Sequence, residues 1–444
     1  MHNRSRGLRR QRGAVLAFLA VLTIHVHAAA QENFHNGSIG RCEGCHGRPA
    51  STGQVGDEAS EAFGQPSFML KGADASSTCL ICHEAPAGLN QPRDHYVASN
   101  GSLLTPGMPP SQLTPAGDFG WLKKTYRWMP SEWQGQRWEE SSPGERHGHN
   151  IVALEFGYMP DGRNTVAPGG TYPSQALSCT SCHDPHGDYK RFPNGIVVER
   201  GNAAAGSGSY NTSQIPTATR SVGVYRLLAG KGYRPKDAAG VQEFLADPPA
   251  AVAPASYNRS ERAADTRVAY GSGMSEWCLN CHQQIHGSGS GLGHPTGRGA
   301  RLTGQIAANY NAYVGSGNIN GAPAEAYTSM VPFEMGTDDY AVLKSAANSD
   351  GSYRRGVEGG GSPQVMCLTC HRAHASGWDG MTRWNTHSEF IVHNGRYPGV
   401  DMFASAEFAQ GRTTAEVSKT FYDRKPSDYA SYQRSLCNKC HVKD

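Results

Sequence analysis

Six Cys-x-x-Cys-His pentads, 54 Gly and 26 Pro in 444 residues, and no stretch of sustained strand alternation predict the fold class of a multihaem cytochrome c. In that class the chain is mostly irregular, with short α-helices at the pentads and very little β structure. Its core is built from stacked haems.

The pentads carry most of this reading. All twelve cysteines fall in them: Cys42, Cys45 and His46; Cys79, Cys82 and His83; Cys179, Cys182 and His183; Cys278, Cys281 and His282; Cys367, Cys370 and His371; Cys437, Cys440 and His441. Two thiols one short turn apart lie on the same side of the backbone and reach the two vinyl groups of one porphyrin. The adjacent His presents an imidazole nitrogen to the iron. A lone C-x-x-C is also half of a zinc site or a redox pair, and an even cysteine count in an exported chain fits a disulfide framework. None of those alternatives requires a His after every second Cys. The expected cofactor is therefore six covalently bound haem c groups.

Attachment of this kind takes place outside the cytoplasm, so an export signal is expected. Arg4, Arg6, Arg9, Arg10 and Arg12 precede a 13-residue apolar run over 14–26, and Ala28, Ala29 and Ala30 follow. This is the pattern of a secretory signal peptide over 1–30, leaving 31–444 as one hexahaem domain that begins at Gln31. The apolar run is too short for a bilayer span, and no later segment is apolar enough for one. Removing five arginines from 41 basic residues leaves 36 against 38 acidic ones, a net of −2, to which haem propionates add further negative charge. A nucleic-acid partner is not indicated. Secretion, to the cell surface or beyond, is the expected location.

Glycine, proline and a 38 % hydrophobic fraction leave little material for an ordinary core. Porphyrins supply the missing apolar mass, and the thioether and iron bonds act as staples. Segments 201–213, 247–256, 287–299 and 356–363 read as loops, and 338–347 is one of the few that read as helical. No point marks the end of one domain.

The sixth ligand of each iron separates electron carriers from enzymes, because an open position admits substrate and a second His closes it. Beyond residue 30 the chain has ten His outside the pentads: His35, His95, His147, His149, His186, His286, His294, His374, His387 and His393. Six suffice for bis-His ligation throughout, so electron transfer is expected and no catalytic residue is assigned. His186 and His374 each stand three residues after a pentad His, and His286 stands four after one. A His so placed cannot swing to the far face of its own porphyrin and is expected to ligate the next haem. His95, His149 and His294 lie in polar or Gly-rich loops and are further candidates; His147, His387 and His393 are weaker ones.

Several segments carry a family resemblance. They are Gly-Asp-Phe-Gly-Trp at 117–121, Ala-Pro-Gly-Gly-Thr-Tyr-Pro at 167–173, Asp-Pro-His-Gly at 184–187, Ser-Tyr-Asn-Arg at 256–259, Met-Ser-Glu-Trp at 274–277, and the runs 370–377 and 437–444. With the order and spacing of the pentads, these resemble the OmcS-type extracellular hexahaem cytochromes of metal-reducing bacteria across nearly the whole exported chain. The resemblance implies bis-His haems in a continuous chain along a conductive filament of identical subunits. It places His35, His95, His149, His186, His286, His294 and His374 on His positions of the family pattern.

One departure stands out. The family has a His three residues after the first pentad that ligates a haem of the neighbouring subunit, and here that residue is Pro49. His35 is the nearest substitute, and the expectation is that it makes the intersubunit bond. Two readings of function stay open beside each other. One is a homopolymeric conduit; the other is a monomeric or surface-bound shuttle or terminal reductase serving metal oxides or other multihaem cytochromes. A reductase with an open haem is a third, smaller possibility left by Pro49.

Overall fold

The computed structural model describes residues 35, 42–47, 70–93, 95–129, 134–136, 138–199, 204–236, 240, 243–254, 268–285, 294–322, 325, 331–347 and 363–441. The export segment 1–30, Pro49, the 256–259 segment and His286 lie outside these residues.

Each pentad forms a single tight turn. The His46, His183, His282, His371 and His441 amides each donate to the carbonyl of the first cysteine of their pentad, at 2.8–3.1 Å. That i to i−4 bond sets the two sulfurs on one side and delivers the imidazole at the end of the turn. The turn belongs to an α-helix at α1 (Ala75–His83), α2 (Met274–Cys278) and α5 (Cys367–Cys370). At Cys42–Gly44, Cys179–Ser181 and Leu436–Lys439 it is 3-10 helix. Short helices at the pentads were expected, and these are what forms.

Other helices are equally brief. α3 (Gly304–Ala312) went unread because Gly and Asn at 304, 309 and 311 obscure its periodicity. α4 (Tyr340–Ala346) falls inside the expected 338–347 helix, and the Asp339 carboxylate caps it by accepting from the Ala341 and Val342 amides. α6 (Ala406–Ala409) and α7 (Thr414–Thr420) follow, the latter opened by a Thr413/Glu416 capping box.

Strands are two or three residues long and pair antiparallel. β1 (Tyr126–Trp128) pairs with β2 (Glu140–Ser142), and β3 (Tyr189–Arg191) lies between β4 (Val197–Glu199) and β5 (Val222–Gly223). β6 (Ala251–Val252) pairs with β7 (Ala269–Tyr270), and β8 (Phe390–Val392) with β9 (Gln433–Arg434). β6 corrects the loop reading of 247–256: Ala and Val between two prolines find a partner strand that local composition cannot reveal.

Buried apolar residues form separate clusters, and five of them pack on a pentad sulfur. Cys179 lies against Leu80, Phe119 and Tyr158; Cys278 against Tyr225, Met274 and Met366; Cys370 against Trp378 and Trp384. Cys281 and Cys440 lie against two smaller groups. Apolar surface is thus collected around the attachment points, as expected of a fold whose core is shared with a cofactor.

A buried cation ties distant segments together. The Arg412 guanidinium donates to the Gly377 carbonyl at 2.6 Å, the Gln410 carbonyl at 2.8 Å and the Ser142 hydroxyl at 2.9 Å, while lying over the Tyr126 and Trp378 rings. Arg412→Lys keeps the charge and loses the planar fork, so a cost of about 2 kcal/mol is expected. It is read as a lowered denaturation midpoint at equal haem content; an unchanged midpoint contradicts it.

Candidate haem-binding sites

In four of the pentad histidines Nδ1 is engaged by the main chain. His83 donates to the His95 carbonyl at 2.8 Å, His183 to Arg226 at 2.7 Å, His282 to Pro168 at 2.9 Å and His371 to Gly380 at 2.8 Å. Two histidines outside the pentads do the same: His149 to Ala373 at 2.6 Å and His294 to Pro295 at 3.1 Å. A carbonyl only accepts, so Nδ1 carries the proton and Nε2 is left with a lone pair, the form a metal requires.

Four pentad histidines face a second imidazole at a nearly constant spacing. Ring centroids are 6.1 Å apart for His83 and His35, 6.4 Å for His183 and His374, 6.0 Å for His282 and His149, and 6.1 Å for His441 and His294. Two His–metal bonds of about 2 Å, plus about 1 Å from each nitrogen to its ring centre, require about 6 Å. The residues therefore fit an iron between each pair, and haem c when bound supplies that iron as a one-electron carrier.

The electrostatics agree. Burial, with the facing imidazole of His83, His282 and His183 respectively, lowers His35 and His149 to about 4 and His374 to about 3. Burial also lowers His83 and His183. All are held neutral, with a lone pair to give.

Three sequence motifs build these pairs. In the first, Gly117 takes φ +96 and passes so close to the Ala375 carbonyl that a Cβ would stand 1.8 Å from it. The approach lets the His374 amide bond the Ala116 carbonyl and the His149 amide bond the His374 carbonyl, so two facing histidines share one backbone junction. Phe119 stacks on the His374 ring at 4.5 Å. Asp118 holds this loop, accepting from the Ser99 amide and hydroxyl and from the Gln112 and Gly120 amides, although burial pushes its carboxyl up. In the second motif Gly170 lies against the Cys281 carbonyl, and Pro168 supplies the acceptor for His282. The third is the 370–377 run itself.

The pentads neighbour one another in chain order. The thiols, which stand where thioether sulfurs form on haem attachment, interact as Cys45 with Cys79, Cys79 with Cys179, Cys182 with Cys281, Cys278 with Cys367, and Cys370 with Cys437. Two of these junctions repeat one design. Ser76, three residues before Cys79, accepts from the Cys179 amide; Ser275, three before Cys278, accepts from the Cys367 amide; both bonds are 3.1 Å.

Other expectations meet corrections. His374 pairs with the third pentad's His and not with the next one along, because the 117–121 loop carries it there. His35 stacks on His83 of its own chain, interplanar angle 15°, so in this structure it is not set aside for a neighbouring subunit. His95 stands edge-on to His83, ring centroids 6.0 Å apart, and its own carbonyl takes the His83 Nδ1 proton. His186 is largely exposed beside Asp184 and faces no second imidazole among the described residues. His147 uses both nitrogens, on the Trp121 carbonyl at 2.9 Å and the Ser142 hydroxyl at 2.8 Å, and burial lowers it to about 3. His393 packs among Phe390, Phe408 and Tyr432, and His387 is exposed. Among the described residues His371 has no imidazole set opposite it. The carbonyl acceptors were invisible in the sequence, since any residue can supply one.

Replacing His294 with Ala in the loaded protein is expected to convert one haem from low to high spin and open it to carbon monoxide. His147→Gln is expected to leave every haem low-spin. Magnetic circular dichroism reads both; the reverse pattern would exchange the two roles.

No family model matches the chain. It is 46 % identical over 434 residues to the C-type cytochrome OmcS of Geobacter sulfurreducens, covering 96 % of this chain and 98 % of that protein. Two solved structures align with it at a TM-score of 0.80, each covering 93 % of this chain and all of the other. They are the Outer Membrane Cytochrome S filament, 45 % identical, and the OmcS nanowires seen by cryo-electron microscopy, 44 % identical, both from Geobacter sulfurreducens. The chain belongs to the OmcS family of multihaem c-type cytochromes, electron-transfer proteins with covalently bound haem c.

Proposed function

We propose that the protein carries six haem c groups in a line, polymerises head to tail outside the cell, and conducts electrons along the polymer to extracellular acceptors such as metal oxides or other multihaem cytochromes. The observation that carries this reading is the run of imidazole pairs about 6 Å apart, strung in the order of their pentads. The closed coordination it supports leaves each iron able to exchange electrons and unable to bind substrate.

The residues divide the work as follows. The twelve pentad cysteines hold the porphyrins, and His46, His83, His183, His282, His371 and His441 are the proximal ligands. His35, His374, His149 and His294 are the distal ligands of the second, third, fourth and sixth haems. His95 is left for the first. In this reading the fifth, at His371, which faces no imidazole among the described residues, is completed at the subunit junction. Pro49 cannot supply that ligand, and His35 is engaged within its own chain. His286 and the exposed His186 are the remaining family-pattern histidines that a junction can draw on.

The export segment over 1–30 directs the chain outward, and 31–444 acts as one unit. Likeness to proteins solved as filaments and nanowires supports polymerisation. Among the described residues no helix is long and apolar enough to cross a membrane.

Cryo-electron microscopy of the haem protein shed by the native organism tests the proposal. Filaments with six haems per subunit, and an imidazole from the next copy opposite His371, are the expected result. Discrete particles at every concentration would replace the conduit by a diffusible or surface-bound shuttle.

A further inference from the structure

α2, the helix that ends in Cys278, is capped in an unusual way. Its leading residue, Gly273 at φ +113, has no side chain to cap with. The acceptor comes instead from Glu334, far along the chain, whose Oε1 takes the Met274 amide at 2.8 Å and the Gly273 amide at 3.2 Å. Glu334 is completely buried, and its other oxygen, Oε2, has no hydrogen-bond partner. By contrast α1, the corresponding helix at the second pentad, is capped by its own Asp74, whose second oxygen accepts from the Ser77 hydroxyl and the Leu154 amide.

Position gives the buried carboxylate its significance. The Glu334 main chain pairs with Gln364 in both directions, at 2.9 and 3.0 Å, three residues before Cys367. Glu334 thus lies between the attachment turns of the fourth and fifth pentads, whose Cys278 and Cys367 thiols hydrogen-bond one another. The groups packed around it are Tyr270, bridged to it along the main chain, the uncharged Gln364, and Glu276 of α2. Arg298 donates its main-chain amide to Glu276, and its guanidinium lies 3.6 Å from Asp338 with one nitrogen 3.8 Å from where a Cβ on Gly273 would stand.

We propose that Glu334 is a redox-linked proton site: Oε2 binds one proton from solvent when one electron, delivered by a reduced donor, arrives on the iron held by His282 or His371. Charge in the buried region is then unchanged by reduction, and electron and proton affinities rise together by linkage. A buried carboxylate with an unpartnered oxygen is costly to keep charged beside added negative charge, and taking up a proton neutralises it. Burial, helped by the neighbouring Glu276 and opposed by the Met274, Gly273 and Ser275 amides, raises Glu334 to about 7, so its protonation is balanced near neutral pH. The inference rests on the reading that the pentads carry haem.

Spectroelectrochemical titration of the loaded wild type and of Glu334→Gln across pH 5–9 tests it, with the haem count measured in both. In the wild type one component of the titration is expected to fall with rising pH, approaching the about 59 mV per pH unit of one electron coupled to one proton. In Glu334→Gln that component is expected to become pH-independent. The same slope in a variant with its full haem count overturns the proposal, whereas a low count in the wild type overturns the haem reading instead. Should the variant fail to load haem, reduction-induced infrared difference spectra of the wild type, with and without carbon-13 glutamate, decide. A protonated-carboxyl band that appears on reduction and moves with the label supports the proposal. Its absence, or indifference to the label, sinks it.

Discussion

Every imidazole pair depends on a bond made on the other side of the ring. A histidine has two nitrogens and one proton when neutral, and a main-chain carbonyl at Nδ1 decides which nitrogen keeps it. In His83, His183, His282, His371, His149 and His294 that choice is made by backbone alone. The same bond stops rotation about the ring, so Nε2 is aimed as well as unprotonated. Burial then removes the competing charged form. Tautomer, direction and charge state are settled by carbonyl placement, and the irregular backbone is what places the carbonyls.

This explains why the fold has so little regular structure. In a helix or sheet interior, carbonyls are already consumed by the ladder. The acceptors at Pro168, Arg226, Gly380, Ala373 and Pro295 lie outside helices and strands or within short 3-10 turns, where a carbonyl is free to serve a side chain. Close approaches at Gly117 and Gly170 follow from the same demand, since a loop can offer its carbonyl to a pentad only by passing where a Cβ would collide. Buried cations such as Arg372, Arg383 and Arg412 tie such loops together by donating to the carbonyls that remain.

His147 and His149 show where sequence reading reached its limit. They are two residues apart in one polar segment, and both are buried imidazoles bonded to a carbonyl at Nδ1. At Nε2 they part: His147 meets the Ser142 hydroxyl, and His149 faces His282. Ser142 and His282 are remote in sequence from each other, so no local pattern separates a structural histidine from a ligand. The local periodicity that did mark α4 failed at α3, where glycine and asparagine sit in a helix held by packing of Tyr310.

The sequence by itself determined what is covalent and local: the pentad turn, the haem c it attaches, the scarcity of regular elements and the supply of histidines for second ligands. Those follow from spacings of five residues or fewer and from composition. Only the tertiary structure decided which histidine meets which pentad, that the pentads neighbour one another in chain order, and that Glu334 caps a helix sixty residues away. Each of these is a contact between remote segments, set by where loops can approach one another and where a carbonyl is left to accept, and neither is written in any local run of residues.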